Sequence, residues 1–206
     1  MMRGVMSSPG LSSVFMRNIF MDITQAIETR RSIRSYTEEP VTKAELEKLV
    51  DLAIKAPTGS GMEPWGFVVL QDRQEIDELS ERIKKKVLDH LEEYPQFAQY
   101  ESWLRNEHYH IFNKAGTVLV IYGDEHSPWH VYDCSLVAGN IMLAAQNDGI
   151  GCCWIGFAEA LFNDEDFKAA HHVPGNFHLV ATLSMGHTKV PVPPCTRKAP
   201  VFFSWK

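Results

Sequence analysis

The stretch TRRSIRSY, residues 29–36, sets Arg30, Arg31 and Arg34 around the hydroxyl of Ser32. Guanidinium forks match phosphate oxygens in pairs, and a hydroxyl adds a donor without adding charge. Such a cluster could hold a dianionic phosphate. A plainer reading is a solvated helix end, where cations complement the negative end of the dipole. That reading accounts for one arginine or two. On residue types alone, both stand.

The rest of the chain makes the cluster unusual. Its 206 residues carry 20 Lys+Arg against 26 Asp+Glu, a formal net charge of -6. An acidic surface argues against nucleic acid or an anionic membrane as a general partner. Positive charge is then best confined to one pocket. The length suits one domain with a sizeable core. The run Val118 to Tyr122 is too short to span a bilayer. Cys134, Cys152, Cys153 and Cys195 form no C-x-x-C pair, which leaves no thioredoxin-like or zinc-ribbon signal. Cys152-Cys153 sits in an apolar run and reads as buried thiols, in keeping with a reduced, cytoplasmic chain. Residues 1–21 lack a continuous apolar stretch and read as an arm before a domain over 22–206, not as a secretory signal. No metal site is expected. His108 and His110 diverge if they lie on a helix, and His171-His172 has no third ligand. There is no G-x-S-x-G and no His/Cys pair at a known spacing.

The elements that would position the arginines follow from periodicity. Asp22 to Thr29 reads as a short helix capped by Asp22. Thr42-x-x-Glu45 is a capping box, opening a helix that stops before Pro57. APTGSGMEPW is a loop by its Gly and Pro content. Gly66–Gln71, Thr117–Tyr122, Ile150–Ile155 and Phe177–Met185 read as strands. Helices are expected over Asp72–Glu93, Pro95–Asn113, Trp129–Asn147 and Asn163–Ala170, the last capped by Asn163. The helix over Trp129–Asn147 is apolar on most sides, so it belongs at the centre or in a subunit interface. Strands alternating with helices give an α/β or α+β domain with a helix-covered sheet.

Four motifs in order resemble the nitroreductase family: TRRSIRSYTEEPV, then APTGSGMEPWGFVVL, then an apolar helix ending in GIGCCWIG, then TRKAP. They span about Asp22 to Pro200. The resemblance implies an α+β fold with a helix-covered, mainly antiparallel central sheet. It also implies an intertwined homodimer with FMN at the subunit interface. By the same resemblance, Arg30, Arg31, Ser32 and Arg197 hold the FMN phosphate. Arg34 reaches the flavin ring and is the one residue given a catalytic part. Pro57, Thr58, Gly59 and Gly61 contact the ring from the partner subunit, and Trp154, Ile155 and Gly156 cover its other face. Gly61 stands where many members have asparagine, and Ile155 where an acidic residue is frequent. The implied activity is reduction of nitroaromatics, quinones or similar electron-poor compounds, with NADH or NADPH as transient donor and ping-pong kinetics. Two alternatives go with it: specialised flavin chemistry, such as dehalogenation or flavin fragmentation, or a flavin-binding protein without activity. The aromatic run Tyr94, Phe97, Tyr100, Trp103, Tyr109 and Phe112 occupies the region that covers the substrate opening in that family; plain core packing is the other reading.

Overall fold

The computed structural model describes residues 21–206 apart from Pro191 and Pro194. Asp22 caps α1 (Ile23–Thr29), its carboxylate accepting from the Gln25 amide at 2.9 Å. The capping box forms as expected. Thr42 accepts from the Glu45 amide and Glu45 from the Thr42 amide, opening α2 (Lys43–Ala53). Next come β1 (Trp65–Leu70), α3 (Arg73–Asp89), the single turn α4 (Glu101–Leu104) and β2 (Thr117–Asp124). The chain continues through α5 (His130–Asn147), β3 (Ile150–Trp154), α6 (Glu159–Phe162), α7 (Glu165–Ala170) and β4 (Phe177–His187).

The strands lie in the order β1-β2-β4-β3, and every neighbouring pair is antiparallel. Helices cover both faces, so the fold is α+β with a helix-covered antiparallel sheet, as the resemblance implied. On one face α3 and α6 pack Ile76, Ile83, Leu161 and Phe162 against Val118, Val120 and Tyr122. On the other, α2 and α5 pack Leu49, Ala53, Val137 and Ile141 against Leu119, Ile121 and Leu183. Strand β2 is therefore buried on both sides, which is why its sequence is a continuous apolar run. Helix α5 buries Cys134, Val137, Ala138, Ile141 and Ala145 while exposing Val131, Tyr132 and Leu136.

Several expectations need correction. Helix α3 stops at Asp89 rather than Glu93. Residues 95–113 are not one helix: a 3₁₀ turn over Pro95–Tyr100 runs into α4, and turns follow. Pro95 and scattered aromatics, without a regular apolar face, leave that segment to be shaped by what it packs on. Helix α7 starts after Asp164, and the Asn163 side chain instead accepts from the Leu179 amide. The turn α6 was not foreseen. The arm over 1–21 lies outside the described residues except for Met21.

His110 is engaged within the chain through both ring nitrogens. Its Nδ1 accepts from the amides of Phe112 (3.0 Å) and Lys114 (3.3 Å), and its Nε2 lies 3.0 Å from Asp77. An Nδ1 lone pair that accepts must be unprotonated. Burial holds its pKa below the ordinary value, against the pull of Asp77 in the other direction. The unfolded imidazole therefore protonates first, so stability from this group is present above about pH 6.5 and is lost as pH falls below it. Thermal melts taken from about pH 7 to pH 5 should show a shallower loss of Tm in His110→Gln than in the parent. Equal slopes in the two proteins would overturn this assignment.

Candidate functional site

The arginine segment is seated on a patch of sheet that has no side chains. Gly151 of β3 and Gly186 of β4 are cross-strand partners. A Cβ on Gly151 would lie 2.6 Å from Cβ and Cγ2 of Ile33, and one on Gly186 would lie 2.9 Å from the Tyr36 ring. The segment therefore lies closer to the sheet than any side chain there would allow. Backbone bonds hold it at both ends: Ile33 N–H donates to Cys152 at 3.0 Å, and Thr37 N–H to His187 at 2.9 Å. The buried Tyr36 hydroxyl lies within 2.6 Å of the Ile33 carbonyl and 2.9 Å of Ser184 Oγ. With Ile33 and Tyr36 turned into the sheet, Ser32 and Arg34 are left exposed on the outer side.

Arg34 enters a cavity of about 400 Å³ at the C-terminal end of β3. Trp154, Ile155, Gly156 and Phe157 form one wall, and Phe97, Tyr100, Trp103 and Tyr109 form the cap. Asn113, left-handed at φ 55°, supplies an amide, and Cys153 a thiol. No carboxylate lines this cavity, and Arg34 is its one cation among the described residues. Burial pushes the Cys153 thiol up, with Arg34 and Ser32 partly offsetting it, and pushes Cys152 up to about 12. Both stay neutral thiols near neutral pH, so neither is an activated nucleophile. Burial likewise raises Tyr109, which remains a hydroxyl donor.

The other expected site residues are distributed unevenly. Arg30 is half-buried and close enough to Cys152 to act on its thiol. Arg31 spends its guanidinium on the backbone, donating to Glu28 (2.8 Å), Arg30 (2.7 Å) and Pro193 (3.2 Å) carbonyls. It ties the tail to the end of α1. Arg197 lies exposed in that tail and does not line the cavity. Nor do Pro57, Thr58, Gly59 and Gly61. Their loop is tightly wound, with Ser60, Gly61 and Glu63 all at positive φ, 55°, 64° and 49°. That conformation gives the glycine at 61 a backbone reason. A side chain on Gly59 would collide with the Trp129 ring. The Gly59 amide donates to both oxygens of Asp133, 3.1 Å each, and that carboxylate is only 4% exposed. Ile155 donates its amide to the Thr182 carbonyl at 2.8 Å, fixing the strand end before Gly156.

Asn113, Phe157 and Asp133 are not among the residues the sequence points to, and Cys153 is expected only as a buried thiol, not in the cavity wall. Phe157 directly follows Trp-Ile-Gly and could have been found by extending that motif. Asn113-Lys114 sits before Gly116, a turn signal hidden by the helical expectation for that segment.

The arrangement suits a flat, negatively charged group. Gly156 has open space where a side chain would project, the lining is aromatic, and the charge is positive. Ser32 bridges to Cys152, the residue before the cavity-lining Cys153.

The model of the Nitroreductase family matches residues 27–187. The chain is 30% identical over 172 residues to a candidate NADH dehydrogenase/NAD(P)H nitroreductase of Archaeoglobus fulgidus, covering 79% of this chain and 83% of that one. It is 20% identical over 174 residues to an iodotyrosine deiodinase of Thermotoga neapolitana, covering 80% and 87%. Among solved structures, a nitroreductase with bound FMN from Bacteroides fragilis superposes with a TM-score of 0.77 at 23% identity, over 90% of this chain and 99% of that one.

Proposed function

This chain belongs to the nitroreductase family, and from that premise we propose that it is an FMN-dependent oxidoreductase, taking electrons from NADH or NADPH and passing them to an electron-poor aromatic or quinone. The observation that carries the reading is Arg34 in an aromatic cavity with no carboxylate in its lining and a glycine at the strand end. FMN, when bound, supplies the hydride-accepting and hydride-donating centre. The protein supplies the rest. Arg30 and Ser32 bind the phosphate by charge-assisted bonds. Arg34 holds a fixed positive charge at the cavity wall, where it favours the more negative redox state. The aromatic cap excludes water while leaving room for a flat reactant, and the Tyr109 hydroxyl and Asn113 amide orient it. Donor and acceptor use the same cavity in turn, which gives ping-pong kinetics.

A homodimer is part of the proposal. The cavity of one chain lacks the loop Pro57–Gly61 and Arg197, which the resemblance assigns to the flavin. Val131, Tyr132 and Leu136 on α5, with Ile23 and Ile27 on α1, leave an apolar face for a second copy. Val201, Phe202, Phe203 and Trp205 extend the apolar surface along the tail. A cytoplasmic location accords with four free cysteines. No helix among the described residues is long and apolar enough to cross a membrane.

The test is an absorbance spectrum of the purified protein followed by anaerobic titration with each nicotinamide. A flavin spectrum bleached by NADH or NADPH, and restored by a nitroaromatic or quinone, is expected. A colourless protein whose melting temperature added FMN does not raise would overturn the reading. Dehalogenation is a second reading, favoured by the match to a deiodinase and by the tyrosines of the cap. Halide release from a halophenol, with poor turnover of quinones, would select it.

A further inference from the structure

We propose that Phe157 determines which acceptors the cavity admits, acting as a fixed post that sets the spacing between the aromatic cap and the end of β3. The proposal rests on the oxidoreductase reading above and adds a specificity-determining residue to it.

Two kinds of chain meet at the cavity. One is the cap, residues 95–109, which is a 3₁₀ turn, one turn of helix and irregular turns. The other is the strand end, which the sheet holds rigidly. Ile155 is bonded to Thr182, Ala158 is fully buried, and Leu161 and Phe162 in α6 are core residues. Phe157 follows the strand in a single 3₁₀ turn, Gly156–Ala158, pinned by the bonded Ile155 before it and the buried Ala158 after it. Its ring meets Phe97 at 4.7 Å, Tyr100 edge-on at 5.6 Å and Tyr109 edge-on at 6.3 Å. The remaining cap ring, Trp103, touches Tyr100 and Tyr109 and is carried by them. Three of the four cap rings therefore lean on one side chain that the fold cannot easily move. Phe157 also lines the cavity, so its volume counts directly against the reactant's. Phe112 and Phe162 stack on each other in the core and play no part in this contact.

Shortening Phe157 should let larger ring systems in, and enlarging it should shut them out. A hydrophobic pocket changes its preference by roughly 10–200-fold for small changes in occupant size. The measurement uses the FMN-loaded protein and two non-reacting probes, benzoate and naphthoate, whose charge complements Arg34. Trp103 and Trp154 line the cavity, so binding is read from tryptophan fluorescence. The same variants are then compared by kcat/KM for a one-ring and a two-ring quinone. In Phe157→Ala both ratios should move towards the two-ring compound by about tenfold, and in Phe157→Trp they should move the other way. If Phe157→Ala does not fold, Phe157→Leu takes its place with a smaller shift in the same direction. Ratios that stay within about twofold of the parent in both size classes overturn the role of Phe157 alone. A parent protein that passes no electrons from either nicotinamide to either quinone overturns the functional reading and this inference with it.

Discussion

Changing Arg34 to alanine is expected to make the bound flavin harder to reduce by about 30–60 mV. Two-electron reduction adds negative charge to the cofactor, and Arg34 is the one cation among the described residues of the cavity lining. A hydrogen bond to a charged group contributes about 1.5–3 kcal/mol. For a two-electron couple, about 30 mV corresponds to 1.4 kcal/mol, which gives the range stated. Arg34 is exposed, and its hydrogen bond to the Ser32 carbonyl is long at 3.5 Å. The fold should therefore be unaffected, and Arg34→Lys should recover part of the shift because the charge returns without the planar fork. A potentiometric titration against a reference dye gives the answer. An unchanged potential in Arg34→Ala would mean that the guanidinium does not act on the ring.

The second large effect concerns a glycine beneath the arginine segment. Gly151→Ala should cost about 1–3 kcal/mol of stability, the usual penalty for overfilling a packed site. The new Cβ would meet the Ile33 Cβ, which is anchored to the backbone and cannot swing aside. The segment itself must lift, and it carries Ser32 and Arg34 with it. FMN affinity should fall by about tenfold, equivalent to 1.4 kcal/mol. Gly116→Ala is the control, since among the described residues nothing beyond its chain neighbours lies within 4 Å of a Cβ there. Urea melts give the stability, and quenching of flavin fluorescence gives the affinity. If Gly151→Ala binds FMN as the parent does, the glycine patch has no part in seating the arginines.

These two cases also mark what the sequence could and could not reveal. The arginine cluster, the capped helices and the four strands are local patterns, and local patterns are legible. The seat beneath the cluster is not. Gly151 and Gly186 are 35 positions apart and matter only because β3 and β4 place them opposite each other. The cap was misread as one helix because its aromatics answer to Phe157 and the core rather than to their own spacing. Arg31 looked equivalent to its neighbours, yet its guanidinium is engaged by three carbonyls that no periodicity connects.

The junction between Gly59 and Asp133 couples two parts of the chain. A carboxylate withdrawn from water and met by a single amide has no second partner among the described residues. The loop cannot unwind without stranding that charge, and the first turn of α5 cannot fray without releasing the loop. The two must open and close as one cooperative unit, so the rate at which the Gly59 amide exchanges its hydrogen with solvent is also a clock for the breathing of the helix start.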